Sequence, residues 1–117
     1  MIQTLLVQLL VSLQLLNTQW YIAKEAEMRS INPTLALCIV KHESNFNQEA
    51  RGDDHGYSYS RSWWQISNKW HPEVSDDVAY SLTSSTVWSL DRIKAGYVRE
   101  WSAYRRYCTH LPVFLDP

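Results

Sequence analysis

Residues 32–50 read NPTLALCIVKHESNFNQEA, and this stretch carries most of the fold prediction. Asn32 is a favoured N-cap residue, and Pro33 suits the first helical position, where its missing N–H costs nothing. Apolar side chains then recur until about Ser44. The stretch therefore predicts a helix that begins at Pro33 and ends near Ser44.

Glu43 stands out in this predicted helix because its neighbours on the same face are apolar. Ile39 lies at i−4, Ala36 at i−7 and Phe46 at i+3. A carboxyl group on an apolar face is poorly solvated, which favours its neutral form and raises its pKa. Such a group suits general acid catalysis near neutral pH. The alternative is an exposed glutamate at a helix end, since glutamates are seldom buried.

Length and composition restrict the class of protein. The 117 residues have room for one core, and 11 basic against 12 acidic residues give a net charge of −1. This balance argues against a nucleic-acid partner, which normally meets a basic face. Three glycines are too few for a dinucleotide-binding or phosphate-binding glycine loop.

The first 17 residues form a hydrophobic leader. No charged side chain occurs from Met1 to Ala23, and residues 5–16 read LLVQLLVSLQLL. We interpret this leader as an export signal or membrane anchor, although no basic start and no A-x-A cleavage site accompany it. A helix packed on the domain is the alternative, since apolar residues also recur at helical spacing. These residues are Leu5, Leu9, Leu13, Leu16 and Trp20.

Residues 18–108 are predicted to form one domain, followed by a tail over 109–117. Thr18 is the predicted N-cap of a helix to Arg29, and residues 51–66 predict a loop with a short β-hairpin. Residues 81–86 are predicted to be a loop, and Thr109 to start a mobile end. A third helix is predicted from apolar residues on one face, namely Val87, Leu90, Ile93, Tyr97 and Trp101. The expected fold class is α+β, predominantly α.

Cys38 and Cys108 are 70 positions apart and match no zinc spacing. They either form one disulfide, which implies an oxidising compartment, or remain two buried thiols. His42-Glu43 begins like the zinc-protease motif H-E-x-x-H, but Phe46 occupies the fifth position. We therefore expect neither a metal nor another cofactor.

Six tryptophans and seven tyrosines exceed what a small core needs, and rings with a polar group suit a wet binding groove. Tyr57, Tyr59, Trp63 and Trp64 are candidates to line such a groove, with at least one of the two adjacent tryptophans exposed if they lie on a strand. Three further tryptophans are assigned to the core or to packing beside a cleft, namely Trp70, Trp88 and Trp101.

Three motifs in order resemble the SLT-type lytic transglycosylases and goose-type lysozymes of the lysozyme-like superfamily. They are Glu43-Ser44-Asn45-Phe46-Asn47, RSWWQIS at 61–67 and DRIKAGYVREW at 91–101. The resemblance covers roughly residues 18–108 and implies a lysozyme-like helical domain. It also implies that Glu43 is the catalytic acid and that Ser44 and Gln65 line or support the cleft. In such a cleft we expect Tyr57, Tyr59, Trp63 and Trp64 to stack on sugar rings.

The implied reaction cleaves the β-1,4 bond between N-acetylmuramic acid and N-acetylglucosamine in peptidoglycan. In lytic transglycosylases one glutamate acts as acid and then as base, and the product is a 1,6-anhydro sugar. Goose-type relatives hydrolyse the bond with a water positioned by aspartates, for which Asp53 and Asp54 are candidates. The alternative for both aspartates is a solvated turn beside glycine.

The chain departs from the family pattern at two places. Ser62 replaces the turn glycine, although serine tolerates positive φ poorly, and the final A-Y-N motif is missing. Tyr97, Tyr104 and Tyr107 are candidates for the role of its tyrosine. These departures favour, as an alternative, a non-catalytic peptidoglycan-binding or structural module of an envelope or phage assembly.

The resemblance and the leader together predict where the protein works. We expect a secreted protein of the periplasm or cell envelope, or a phage-associated one, and a monomer that binds glycan strands. The leader could instead belong to a membrane-anchored interaction protein.

Overall fold

Helices dominate the computed structural model, which describes residues 2–116, and a small antiparallel sheet completes it. The α+β, predominantly α prediction is confirmed. The elements are α1 (Ile2–Met28), α2 (Pro33–Ser44), β1 (Arg51–Gly52), β2 (Ser60–Arg61), β3 (Ile66–Ser67), α3 (Asp76–Ala79), α4 (Leu82–Lys94), a 3₁₀-helix (Val98–Glu100) and a π-helix (Tyr104–Cys108).

Helix α1 is continuous through Thr18, so the predicted N-cap at this residue is wrong. The Thr18 hydroxyl donates to the carbonyl of Gln14, 2.9 Å away and one turn earlier, and therefore does not cap a new helix. Ile22 and Ala26 are fully buried against the domain. Residues 2–17 are exposed along their whole length, so within this chain they do not form the packed helix of the alternative prediction.

Helix α2 begins and ends as predicted. Asn32 Oδ1 accepts the N–H of Thr34 at 3.1 Å, Pro33 follows the cap, and Ser44 is the last helical residue. Asn45 ends the helix with φ of 52°, in the left-handed region. One face of the helix is buried in the core through Leu35, Ala36, Ile39 and Val40.

The sheet confirms the predicted hairpin and adds a third strand. Strand β2 lies in the middle and pairs with β1 through Gly52 and Ser60, and with β3 through Arg61 and Ile66. The buried guanidinium of Arg61 donates to the carbonyls of Ile66 at 2.9 Å and Val74 at 2.8 Å. These bonds fix the sheet to the segment that leads into α3.

Helix α4 differs from the prediction at both ends. Ser81 accepts the N–H of Ser84 at 3.2 Å and caps the helix, so most of the predicted loop over 81–86 is helical. The helix then ends before Gly96, whose φ of 102° cannot continue it. Tyr97 and Trp101 are therefore outside α4, and the predicted long helical face is wrong.

The C-terminal segment is anchored, so the prediction of a mobile end is wrong. Ile31 and Phe114 form an antiparallel bridge. The N–H of Asn32 donates to the carbonyl of Val113 at 2.9 Å, and the N–H of Leu115 donates to the carbonyl of Ser30 at 2.9 Å. These bonds join residues more than 80 positions apart, which no local pattern reveals. Met1 of the predicted leader and Pro117 of the predicted tail lie outside the described residues.

Cys38 and Cys108 form a disulfide, with their Cα atoms 6.1 Å apart. Of the two sequence alternatives, the structure therefore has the bonded one. The bond links α2 to the π-helix, so it ties the helix that carries Glu43 to the end of the domain.

Candidate active site

A cleft of about 550 Å³ opens beside the end of α2, between the sheet and the segment after α4. All three sequence motifs contribute to it: Glu43 from the first, Gln65 and Ile66 from the second, and Arg92, Glu100 and Trp101 from the third. The other lining residues are Asp53, Ser60, Ser67, Trp70, His71, Trp88, Ser102 and Arg105.

The Glu43 carboxyl is held on the wall of this cleft. Its Oε2 accepts the backbone N–H of Ala103 at 3.3 Å. Burial raises the pKa of Glu43, and the negative charge of Asp53 raises it further, whereas the Ala103 bond and the positive charges of Arg105 and Arg106 lower it. The net direction is upward, so the site favours the protonated acid that the sequence predicts.

The two candidate aspartates occupy different environments. Asp53 lines the cleft together with Glu43. Asp54 is exposed, with Oδ1 accepting the N–H of Gly56 at 2.9 Å and Oδ2 lying 2.7 Å from Nε of Arg51. These two contacts lower the pKa of Asp54. Asp54 is thus a turn residue outside the cleft, and of these two aspartates only Asp53 is placed to act as a second carboxylate.

Gln65 lies in the turn between β2 and β3, at φ of 52°. Its Nε2 donates to the carbonyls of Ala50 at 3.1 Å and Ser62 at 2.9 Å, which fixes the side chain on the cleft wall. Its Oε1 faces Gly52, where a Cβ would lie 2.3 Å away. A side chain at position 52 would therefore displace the Gln65 amide from its present position.

Ser44 supports the cleft from behind. Its Oγ lies 2.8 Å from the carbonyl oxygen of Trp63 and 3.2 Å from that of Val40. The bond to Trp63 joins the end of α2 to the turn between β2 and β3. Ser44 thus holds two walls together but does not line the cleft.

The predicted sugar contacts by Trp63 and Trp64 are wrong, because both side chains are buried, with 7% and 0% exposure. They lie in a turn, so the alternation of a strand, which would expose one of them, does not apply. The indole N–H of Trp64 donates to Thr86 Oγ1 at 3.0 Å, and that of Trp101 donates to the carbonyl of Trp64 at 2.9 Å. Both side chains therefore belong to the core, and Trp64 supports Trp101, which lines the cleft.

Tyr57 and Tyr59 also lie outside the cleft, contrary to the prediction. Tyr57 is 98% exposed on the loop between β1 and β2. The ring of Tyr59 is covered by the guanidinium of Arg51, 3.6 Å from its centroid, and its hydroxyl lies 3.4 Å from Asp76 Oδ2.

None of the three candidates for the missing motif's tyrosine lines the cleft. The guanidinium of Arg92 covers Tyr97, with 4.5 Å between Cζ and the ring centroid. Tyr104 is buried in the core. Tyr107 stacks on His42, with 4.3 Å between ring centroids.

The aromatic wall of the cleft comes instead from residues that the sequence assigned to packing. Trp70 is 73% exposed, and Trp88 and Trp101 meet edge to face at 6.5 Å beside it. His71 meets Trp88 edge to face at 4.8 Å. The excess of tryptophan indicated such a groove, but spacing along the chain did not show which indoles line it.

The second glutamate of the cleft has the opposite electrostatic environment. Glu100 accepts two bonds from Arg92, at 2.5 and 2.6 Å, and lies 3.4 Å from Nε2 of His71. The hydrogen bond from Arg92 lowers the pKa of Glu100. Glu43 is therefore the glutamate in the cleft that is suited to hold a proton.

No group of three or more histidine, cysteine, aspartate or glutamate side chains among residues 2–116 is arranged to hold a metal ion. Comparisons with protein-family models, curated proteins and solved structures found no match to the chain. The three motifs and the cleft that they share are therefore the features that indicate a function.

Proposed function

We propose that this protein degrades peptidoglycan, cleaving the β-1,4 bond between N-acetylmuramic acid and N-acetylglucosamine. The proposed activity is that of a lytic transglycosylase, a glycosidic-bond lyase of the cell wall. One observation carries it: Glu43 faces an open, aromatic-walled cleft, and burial holds its carboxyl towards the protonated form.

Glu43 serves first as the general acid. It gives its proton to the glycosidic oxygen as the bond from this oxygen to C1 of N-acetylmuramic acid breaks. The neighbouring N-acetyl group of the substrate stabilises the sugar cation. The ionised carboxylate then removes the proton of the C6 hydroxyl, and the oxygen of this hydroxyl bonds to C1. The 1,6-anhydro ring forms without water, and Glu43 is protonated again.

Hydrolysis is the second candidate, and the position of Asp53 favours it. Asp53 lines the same cleft and acts electrostatically on Glu43. A second carboxylate can activate a water on the other side of the sugar ring, as in inverting glycosidases. The muramidase reaction would then leave a reducing end that carries one added water.

Mass analysis of soluble fragments separates these reactions. Purified peptidoglycan digested by the full chain is expected to release fragments that end in the anhydro sugar. Fragments heavier by one water would assign hydrolysis instead. No release of fragments would contradict both reactions and leave a binding module.

We further propose that the protein is exported and stays at the cell envelope, or acts there as a phage-associated protein. Helix α1 is long and apolar enough to cross a membrane by length and composition. The disulfide suits an oxidising compartment. Cell fractionation with a carbonate wash of the membranes tests this proposal. Retention of the protein with the membranes supports an anchor, and its release into the periplasm supports a cleaved leader. A cytosolic protein contradicts export.

A further inference from the structure

Two of the three basic side chains that line the cleft are already paired. Arg92 forms a bidentate ion pair with Glu100, and His71 lies 3.1 Å from Glu73 and 3.4 Å from Glu100. Arg105 is the exception. Among residues 2–116, no carboxylate oxygen lies within 4.0 Å of its guanidinium. Arg105 therefore keeps its charge available on the wall that it shares with Glu43.

The Arg105 side chain is nevertheless held in place. Its Nη1 donates to the backbone carbonyl of Arg99 at 2.5 Å. A guanidinium has five N–H donors in a planar fork, so this bond leaves four of them for other partners. Such a fork recognises carboxylates well because it binds both oxygens at once.

We infer that Arg105 binds a carboxylate carried by the lactyl branch of N-acetylmuramic acid. This inference rests on the proposed function, since it assumes a peptidoglycan strand in the cleft. The sugar backbone of that strand is uncharged, and its carboxylates lie on the peptide stems. Where a stem has been removed, the lactyl group itself is the carboxylate. Both sources present the same chemistry to Arg105.

Arg105 would thus distinguish peptidoglycan from neutral polymers with the same β-1,4 backbone. Stacking on Trp70 and its neighbours accepts any sugar face. A cation on the wall that also carries Glu43 adds a requirement for charge at one branch of the strand. Arg105 is a specificity-determining residue in this view, because it selects the substrate and does not take part in proton transfer.

Arg106 offers a matched control. It is the next residue, is exposed, carries the same charge and does not line the cleft. Its charge also lowers the pKa of Glu43, as that of Arg105 does. If charge alone weakened binding, substitution of either arginine would have the same effect. If Arg105 recognises a carboxylate, only its own substitution weakens binding.

The test measures equilibrium binding in a Glu43→Gln background, so that it does not depend on turnover. The probes are soluble, uncross-linked glycan strands in three forms: with intact stems, with stems removed by an amidase, and with every carboxylate converted to a neutral amide. We expect Arg105→Gln to raise Kd about tenfold for at least one charged form. The Kd of the amidated strands should stay unchanged. The charged form that responds identifies the source of the carboxylate. Arg106→Gln should leave all three Kd values within about twofold.

Three results would overturn the inference. Arg105→Gln could raise Kd equally for charged and amidated strands, or it could leave every Kd unchanged. The third such result is that no strand binds at all. Failure of the proposed function gives a different result. In that case the wild type would bind strands with the Arg105 dependence above but release no fragments.

Discussion

The backbone N–H of Ala103 donates to Oε2 of Glu43 across 3.3 Å, joining positions that are 60 residues apart. This bond favours the ionised carboxylate, whereas burial favours the protonated acid and has the larger effect. The carboxyl is thus oriented by the segment after α4 without losing its tendency to hold a proton. The end of the domain is therefore part of the candidate site.

The raised pKa of Glu43 predicts the pH dependence of activity. A general acid must be protonated, so kcat/KM should fall on the alkaline side as Glu43 ionises, at a pH above the usual glutamate range. Arg106 lowers this pKa, so Arg106→Gln should move the falling limb to higher pH. Initial rates of fragment release between pH 4 and 9 measure both effects. An alkaline fall in kcat/KM that moves to lower pH in Arg106→Gln would contradict the role of Glu43 as the general acid.

The disulfide is expected to contribute most of its stability through the unfolded chain. Closing a loop of 70 residues is worth about 4 kcal/mol on the loop-entropy model. The double variant Cys38→Ser, Cys108→Ser should lose about this much free energy of unfolding, measured by urea denaturation. Reductant should destabilise the wild type and leave the double variant unaffected. Equal stability of the two proteins would show that the bond does not constrain the chain.

Ser62 is the position where substitution should stabilise the fold. It has φ of 65°, which favours glycine, and its buried hydroxyl has no hydrogen-bond partner among the described residues. Ser62→Gly relieves both penalties and should raise the free energy of unfolding by about 1 kcal/mol. Ser58→Gly, on the loop before β2 and without positive φ, should lower stability instead. Destabilisation by Ser62→Gly would contradict the view that the positive φ and the unpartnered hydroxyl cost stability at this position.

Trp70 is expected to bind sugar rings because it is a largely exposed indole on the cleft wall. Trp70→Ala should weaken binding of glycan strands by about tenfold, in line with the energy of an aromatic contact. Trp20 on α1 is 63% exposed and lies outside the cleft, so Trp20→Ala is the control. Quenching of tryptophan fluorescence by added strands gives both affinities. An equal effect of the two substitutions would exclude a specific subsite at Trp70.

The sequence predicted correctly what short-range patterns encode. Both ends of α2 were predicted from the cap at Asn32, the proline after it and the apolar spacing around Glu43. Glycine and alternating residues indicated the hairpin. The position of Glu43 on an apolar face also predicted the direction of its pKa shift.

Long-range pairing explains the errors. The anchoring of Val113 on Asn32 and the bond of Trp101 to the carbonyl of Trp64 depend on segments that approach only in the folded chain. The burial of Trp63 depends on a turn in place of a strand. Serine at position 81 illustrates a different problem, because the same residue type favours loops and helix caps.

The most direct test of the account is the activity of Glu43→Gln on purified peptidoglycan, beside Glu49→Gln as a control at an exposed position outside the cleft. We predict that Glu43→Gln keeps the melting temperature of the wild type and releases soluble fragments at least about 10²-fold more slowly. Glu49→Gln should act like the wild type. A Glu43→Gln protein that releases fragments at the wild-type rate would contradict the role of Glu43 and, with it, the proposed mechanism.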